Sequence, residues 1–174
     1  MVVAAQTESL LAELGISVET LRSRGLQPYI EVEIVEVAEV GADGRDHLLA
    51  PQAARAWRKM KSAFVSDGED IFIVSAFRTI RRQADIIRRK LTSGQAIEEI
   101  LEVCAPPGYS EHHSGLAVDL GTTGVPLLEP EFDATPAFRW LSDNASKYGF
   151  SLSYPRDNPY GYQYEPWHWC HRAA

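Results

Sequence analysis

The run DIFIVSAF, residues 70–77, most limits how this chain can fold. It is apolar, rich in β-branched and aromatic residues, and lacks a helical period, so it reads as a short central strand. Helical patterns flank it. Upstream, PQAARAWRKMKSAF repeats Ala54, Trp57, Met60 and Phe64 at intervals of three or four. Downstream, Thr79 to Thr92 carries Ile80, Ala84, Ile87 and Leu91 on one face and basic residues on the rest.

A lone strand needs partners, and the chain offers several. YIEVEIVEVAEV, residues 29–40, alternates Ile30, Val32 and Ile34 with glutamates, which predicts a half-buried strand. The alternation slips at Val35, where a bulge would account for it. FSLSYP (150–155) and YEPWHWCHR (164–172) read as the last two strands, and SGLAVDL (114–120) is a further candidate. GADGRD is a turn, GQAIEEILEVC a helix stopped by PPG, and PAFRWLSDNASKYG a helix closing on Gly149. Residues Glu8 to Gly25 predict one or two short helices broken at Gly15. Helices and antiparallel strands interleave without repeat or linker, so the expectation is one α+β domain.

Charge removes one class of function. With 17 basic against 24 acidic residues the net charge is −7, which argues against polyanions and nucleic acid as the main partner. No apolar run reaches the length of about 18 residues that a membrane span needs. The N-terminus lacks a basic stretch followed by a continuous apolar one, so no signal peptide is expected in it. The two cysteines, Cys104 and Cys170, are expected to be reduced and partly buried.

Three short stretches carry candidate chemistry. In SEHHSGLAVD, His112 and Asp119 are both good zinc ligands, and small residues between them would leave room above a strand. A surface histidine with a turn-capping aspartate explains the pair equally well. In YEPWHWCH, Glu165 and His168 are three apart, and Pro166 disfavours a helix there. They would supply a third ligand and a general base, or merely accompany two core tryptophans. In SAFRT, Arg78 follows a strand end, placed either to stabilise an oxyanion or to neutralise a nearby acid.

Together these stretches resemble the zinc D-Ala-D-Ala carboxypeptidases of the LAS metallopeptidase group, including those of the vancomycin-resistance type. Ser110, His112, Gly115, Ala117 and Asp119 match that group's Ser-x-His-x-x-Gly-x-Ala-x-Asp element, and Glu165 with His168 its Glu-x-x-His element. Arg78 and Gln83 stand where the group carries Ser-x-x-Arg and a following glutamine. The match runs from about Leu48 to Arg172, with 1–28 expected as a helical extension and 29–174 as the peptidase domain.

The resemblance implies an α+β fold with a small antiparallel sheet flanked by helices and a single zinc cleft. It implies His112, Asp119 and His168 as ligands of Zn²⁺, Glu165 as base and Arg78 as oxyanion stabiliser. His113 and His171 lie off the pattern, and His113 is as well explained as a plain surface residue. Ser75, Gln83 and Ser110 become candidates for binding substrate, with Arg81 or Arg82 as charge partners for its carboxylate. The implied partners are peptidoglycan stem peptides or muropeptides, cut at a terminal D-alanine, and the protein is expected to be a monomer. Two other readings remain: an endopeptidase of the lysin kind, and a zinc-containing module that binds wall without cutting it. An L,D-carboxypeptidase of recycled muropeptides would suit the bacterial cytoplasm, where the sequence as it stands is expected. Removal of a leader, or non-classical export, would place it in the envelope.

Overall fold

A computed structural model describes residues 2–172 of the chain. The elements in order are α1 (Val2–Glu13), α2 (Val18–Ser23), β1 (Glu36–Val40), β2 (Asp46–Leu49), α3 (Pro51–Ser66) and β3 (Phe72–Ser75). There follow α4 (Ile80–Thr92), α5 (Ile97–Val103), β4 (Ala117–Gly121), α6 (Pro136–Asn144), β5 (Phe150–Leu152) and β6 (His168–His171). The α+β expectation is met by mixed helices and two antiparallel sheets. No helix among the described residues is long and apolar enough to cross a membrane.

The main sheet has four strands in the order β3-β4-β6-β5. Side-chain alternation sorts its two faces. Val118 and Leu120 of β4 and Trp169 of β6 join Trp57, Phe64 and Phe150 in the larger core. Asp119 and His168, one residue out of phase, point to the opposite face. A second core lies around α1, α2 and α4: Leu11, Leu14 and Leu21 pack with Ala84, Ile87 and Ile100. The segment expected as an extension is thereby buried against the helix that follows Arg78.

Two strand expectations need correction. DIFIVSAF forms β3, but at the sheet's edge and not its centre. The β1–β2 hairpin takes over part of that edge: Glu39 accepts from the Ile73 N–H at 3.3 Å, and Leu48 accepts from Phe77 N–H at 2.9 Å. The alternating segment is strand only from Glu36 onward, and the irregular pairing falls at Val37/Glu39, not Val35. Upstream, Ile30 and Ile34 are 85 % and 69 % exposed and only Val32 of the expected apolar face is half-buried, so the alternation does not mark a buried face there. The reason lies in where the backbone bonds go. Tyr29 and Val32 donate to the carbonyls of Gly108 and His113, at 2.7 and 2.9 Å, and not to a ladder. That contact leaves Glu31 half-buried, where it caps α4 by accepting from Ile80 N–H at 2.6 Å.

Candidate metal centre

Sheet register builds the centre. Asp119 stands directly opposite His168 in the β4–β6 pairing and opposite Ser75 in the β3–β4 pairing. Cross-strand partners in an antiparallel pair project to the same side, so carboxylate and imidazole meet by construction. His112 arrives from the 3₁₀ turn Glu111–Ser114, which leads into β4. Ser110 caps that turn, its hydroxyl accepting from His112 N–H at 3.4 Å.

Gly115 ends the turn at φ +67°, and an added Cβ would lie 2.9 Å from Ala50 N and from Val32 Cγ1. The glycine is therefore needed for a left-handed corner and a close approach, not to keep space open above the sheet as expected. Ala117 is likewise fully buried, facing Cys170 across the pairing.

His112, Asp119 and His168 converge, all buried, with one ligand atom from each lying within 4.8 Å of the others. The donor set is tautomerically prepared. His112 Nδ1 lies 2.7 Å from the Ala76 carbonyl, which can only accept, so Nδ1 carries the proton and Nε2 keeps its lone pair. That buried Nε2 lies 3.2 Å from Asp119 Oδ2 but off hydrogen-bond geometry, so it has no hydrogen-bond partner. Burial, aided by the nearby Arg78 charge, pulls the His112 pKa down to about 4 and keeps the ring neutral. An orphaned neutral imidazole nitrogen beside a buried carboxylate suits a borderline-soft divalent cation, and the set fits zinc.

His168 differs. Burial opposes a charge on its ring, yet hydrogen bonds to Asp119 (Nδ1, 2.9 Å) and Glu111 (Nε2, 3.0 Å) outweigh it and raise its pKa. Burial pushes Asp119 up, but the two imidazoles prevail and hold its pKa well below the ordinary value.

The trio opens on a cleft of about 450 Å³ lined also by Arg78, Gln83, Lys90, Ser110, Glu165 and Trp167. Glu165 Oε2 is 3.7 Å from His168 Nδ1. Burial, partly opposed by the His168 charge, raises the Glu165 pKa to about 7. Arg78 brings a buried Nε with no hydrogen-bond partner.

The remaining expected residues divide. Gln83 lines the cleft, but its amide nitrogen is committed to Ala105 O at 2.7 Å and Cys104 Sγ at 3.1 Å; only Oε1 is unpartnered. It therefore offers an acceptor, suited to an N–H and not to a carboxylate. Ser75 sits beside Asp119 in the register yet is not among the cleft-lining residues. Arg81 and Arg82 are exposed on α4 and do not line the cleft; Lys90, two turns further on, does.

His113 is no surface residue. It is fully buried, accepting from Gly108 N–H through Nε2 (3.1 Å) and holding the Arg78 carbonyl through Nδ1 (2.7 Å). His171 packs on Phe150 and stands outside the metal-ligating group. Both cysteines are free, and neither belongs to that group among the described residues.

Sequence reasoning passed over Glu111. It is 4 % exposed and accepts from Tyr29, Ser153, His168 and Arg172. Its place beside a suspected ligand histidine was the one signal in the sequence.

Comparison with known proteins accords with this geometry. The family model described as D-alanyl-D-alanine carboxypeptidase (VanY) matches residues 46–174. The putative carboxypeptidase YodJ of Bacillus subtilis is 37 % identical over 67 % of this chain and 44 % of its own length. The D-alanyl-D-alanine carboxypeptidase of Enterococcus faecium is 33 % identical over 69 % of this chain and 36 % of its own. The chain thus spans less than half the length of these two relatives.

Among solved structures, the LdcB LD-carboxypeptidase superposes with a TM-score of 0.66 at 32 % identity, covering 83 % of this chain and 65 % of that one. VanYB in complex with D-alanine-D-alanine gives 0.65 at 28 %, covering 83 % and 81 %. A VanY D,D-pentapeptidase solved with Zn(II) gives 0.64 at 27 %, covering 83 % of each chain. A family model spanning most of the sequence, joined to a shared fold, settles kinship: this chain belongs to the D-alanyl-D-alanine carboxypeptidase family.

Proposed function

We propose that this protein is a zinc-dependent carboxypeptidase that releases the terminal D-alanine from peptidoglycan stem peptides. One observation carries the reading: three buried ligand atoms from His112, Asp119 and His168 converge at a cleft where Glu165 lies 3.7 Å from His168. The solved relatives with D-alanine-D-alanine and with Zn(II) support the choice of substrate and metal.

His112 through Nε2, His168 through Nδ1 and the Asp119 carboxylate would hold the ion. When bound, zinc supplies Lewis acidity, which acidifies a water and polarises a carbonyl. The chain's own groups do the rest. Glu165, balanced near neutrality by burial, accepts a proton from the attacking water and returns it to the leaving amine. Arg78, with an unpartnered Nε, meets the carbonyl oxygen as charge develops on it. Gln83 Oε1 accepts a substrate N–H, and the Ser110 hydroxyl, which also lines the cleft, donates to a substrate oxygen. Arg78 and Lys90 line the cleft without an ion-pair partner among the described residues, which leaves two cations available to a substrate carboxylate or carbonyl.

Incubation of the zinc-loaded protein with defined tripeptide, tetrapeptide and pentapeptide stems, followed by product masses, tests the reading. Loss of a single alanine from the pentapeptide is the expected result. Loss of alanine from the tetrapeptide alone would assign L,D specificity instead, and internal cleavage would make the protein an endopeptidase. An intact set of stems that nevertheless bind would make it a recognition module.

A further inference from the structure

We propose that Glu111 is a positioning residue for the metal centre, and that it ties the segment upstream of the family-matched region to the ligand His168. The inference rests on the zinc reading given above.

Glu111 sits one residue before the ligand His112 but turns to a different ligand. Its Oε2 accepts from His168 Nε2 at 3.0 Å and from the Ser153 hydroxyl at 2.5 Å. Its Oε1 accepts from the Tyr29 hydroxyl at 3.1 Å and from Arg172 Nη2 at 2.5 Å. Each carboxylate oxygen therefore has two donors, and the side chain is 5 % exposed. A buried carboxylate so fully satisfied has one low-energy orientation.

The consequence falls on the imidazole. An ionised carboxylate can only accept, so the proton on His168 stays at Nε2. The proton that a metal displaces is then the one on Nδ1, the nitrogen that faces Asp119 at 2.9 Å, and the lone pair appears there. Had Nε2 met a donor, the tautomer would reverse and Nδ1 would face the metal position with a proton. Glu111 thereby chooses the ligating nitrogen and fixes the ring's plane, as outer carboxylates do for metal-bound histidines.

Tyr29 extends the device beyond the family match, which begins at residue 46. Its backbone N–H is anchored on Gly108 O at 2.7 Å, so the phenol reaches Glu111 from a segment strapped across the ligand-bearing turn. Ser153 and Arg172 reach it from either side of β6, on the chain just after β5 and just after His171.

The test is zinc affinity, measured by chelator competition on protein shown to be folded by circular dichroism. Glu111→Ala is expected to weaken zinc about 10–100-fold, the usual cost of losing an outer-sphere partner. Glu111→Gln, which retains one acceptor oxygen, should fall between that variant and wild type, and Tyr29→Phe should shift affinity the same way by less. The cobalt(II)-loaded variants should show altered visible absorption, since ligand-ring orientation changes. If Glu111→Ala does not fold, the glutamine and phenylalanine variants carry the test. Wild-type zinc affinity and an unchanged cobalt spectrum in folded variants, with only thermal stability lowered, would overturn the proposal. His168→Ala is the control for the underlying reading: if it keeps stoichiometric zinc, the metal site itself is wrong, whatever Glu111 does.

Discussion

Asp119 and His168 are directly paired across β4 and β6, and Asp119 Oδ1 lies 2.9 Å from His168 Nδ1. With Nε2 also held by Glu111, the metal-free ring has an acceptor at both nitrogens. Both then carry protons, and the ring is an imidazolium.

Zinc binding must therefore expel a proton. The His168 pKa is raised, so the ring is charged below that value and still charged at pH 7 in the metal-free protein. Only the Nδ1 proton needs to leave, because Nε2 keeps its bond to Glu111. Calorimetry of zinc binding at pH 7, in two buffers with different ionisation enthalpies, should give about one proton released from this ring. Buffer-independent heats would show a neutral His168 and contradict the pairing.

Glu165→Ala should separate binding from chemistry. The carboxylate is within reach of the centre without being needed as a ligand, so the variant should hold zinc at the wild-type level. Turnover should fall on the order of a hundredfold or more, the usual contribution of a general base. Wild-type turnover in the folded, zinc-loaded variant would remove Glu165 from the mechanism.

Arg78→Lys keeps a positive charge but loses the forked donors. If Arg78 serves the developing oxyanion, kcat should drop far more than KM rises, with up to about 3 kcal/mol of transition-state stabilisation at stake. Steady-state kinetics on a stem pentapeptide reads this directly. An effect confined to KM would make Arg78 a substrate-binding group only.

Gly115→Ala should destabilise the fold. A left-handed corner costs a non-glycine residue about 1–2 kcal/mol, and here the new Cβ also meets Ala50 N at 2.9 Å. Urea unfolding should show a loss at least that large. An unchanged midpoint would mean that the turn bearing His112 can relax at no cost.

Much of the architecture was legible in the sequence because periodicity reports burial. The helices carrying Trp57 and Ile87 fall where their apolar spacing put them. The convergence of His112, Asp119 and His168 was legible because their spacing matches a known pattern. What escaped detection depends on long-range contacts. Ile30 and Ile34 alternate like a buried face but are exposed, because the loop Gly108–His113 claims the backbone beneath them. Lys90 looks like one cation among several on α4, and only the fold turns it into the cleft. Glu111 drew no notice and His113 read as a surface residue, yet each is buried by partners from distant segments: Tyr29 and Arg172 for one, Arg78 for the other. Ser75 was placed near the site by its motif, and its edge strand leaves it outside the cleft lining.

If the proposed function holds, one zinc ion held by His112, Asp119 and His168 is required for release of D-alanine. The direct measurement is D-alanine release from a pentapeptide stem by protein stripped with a chelator, then titrated with zinc. The stripped protein should release none, and recovery should be linear and end at about one equivalent per chain, as a three-ligand catalytic site requires. Release that survives stripping, or fails to return as zinc fills the site, would contradict it.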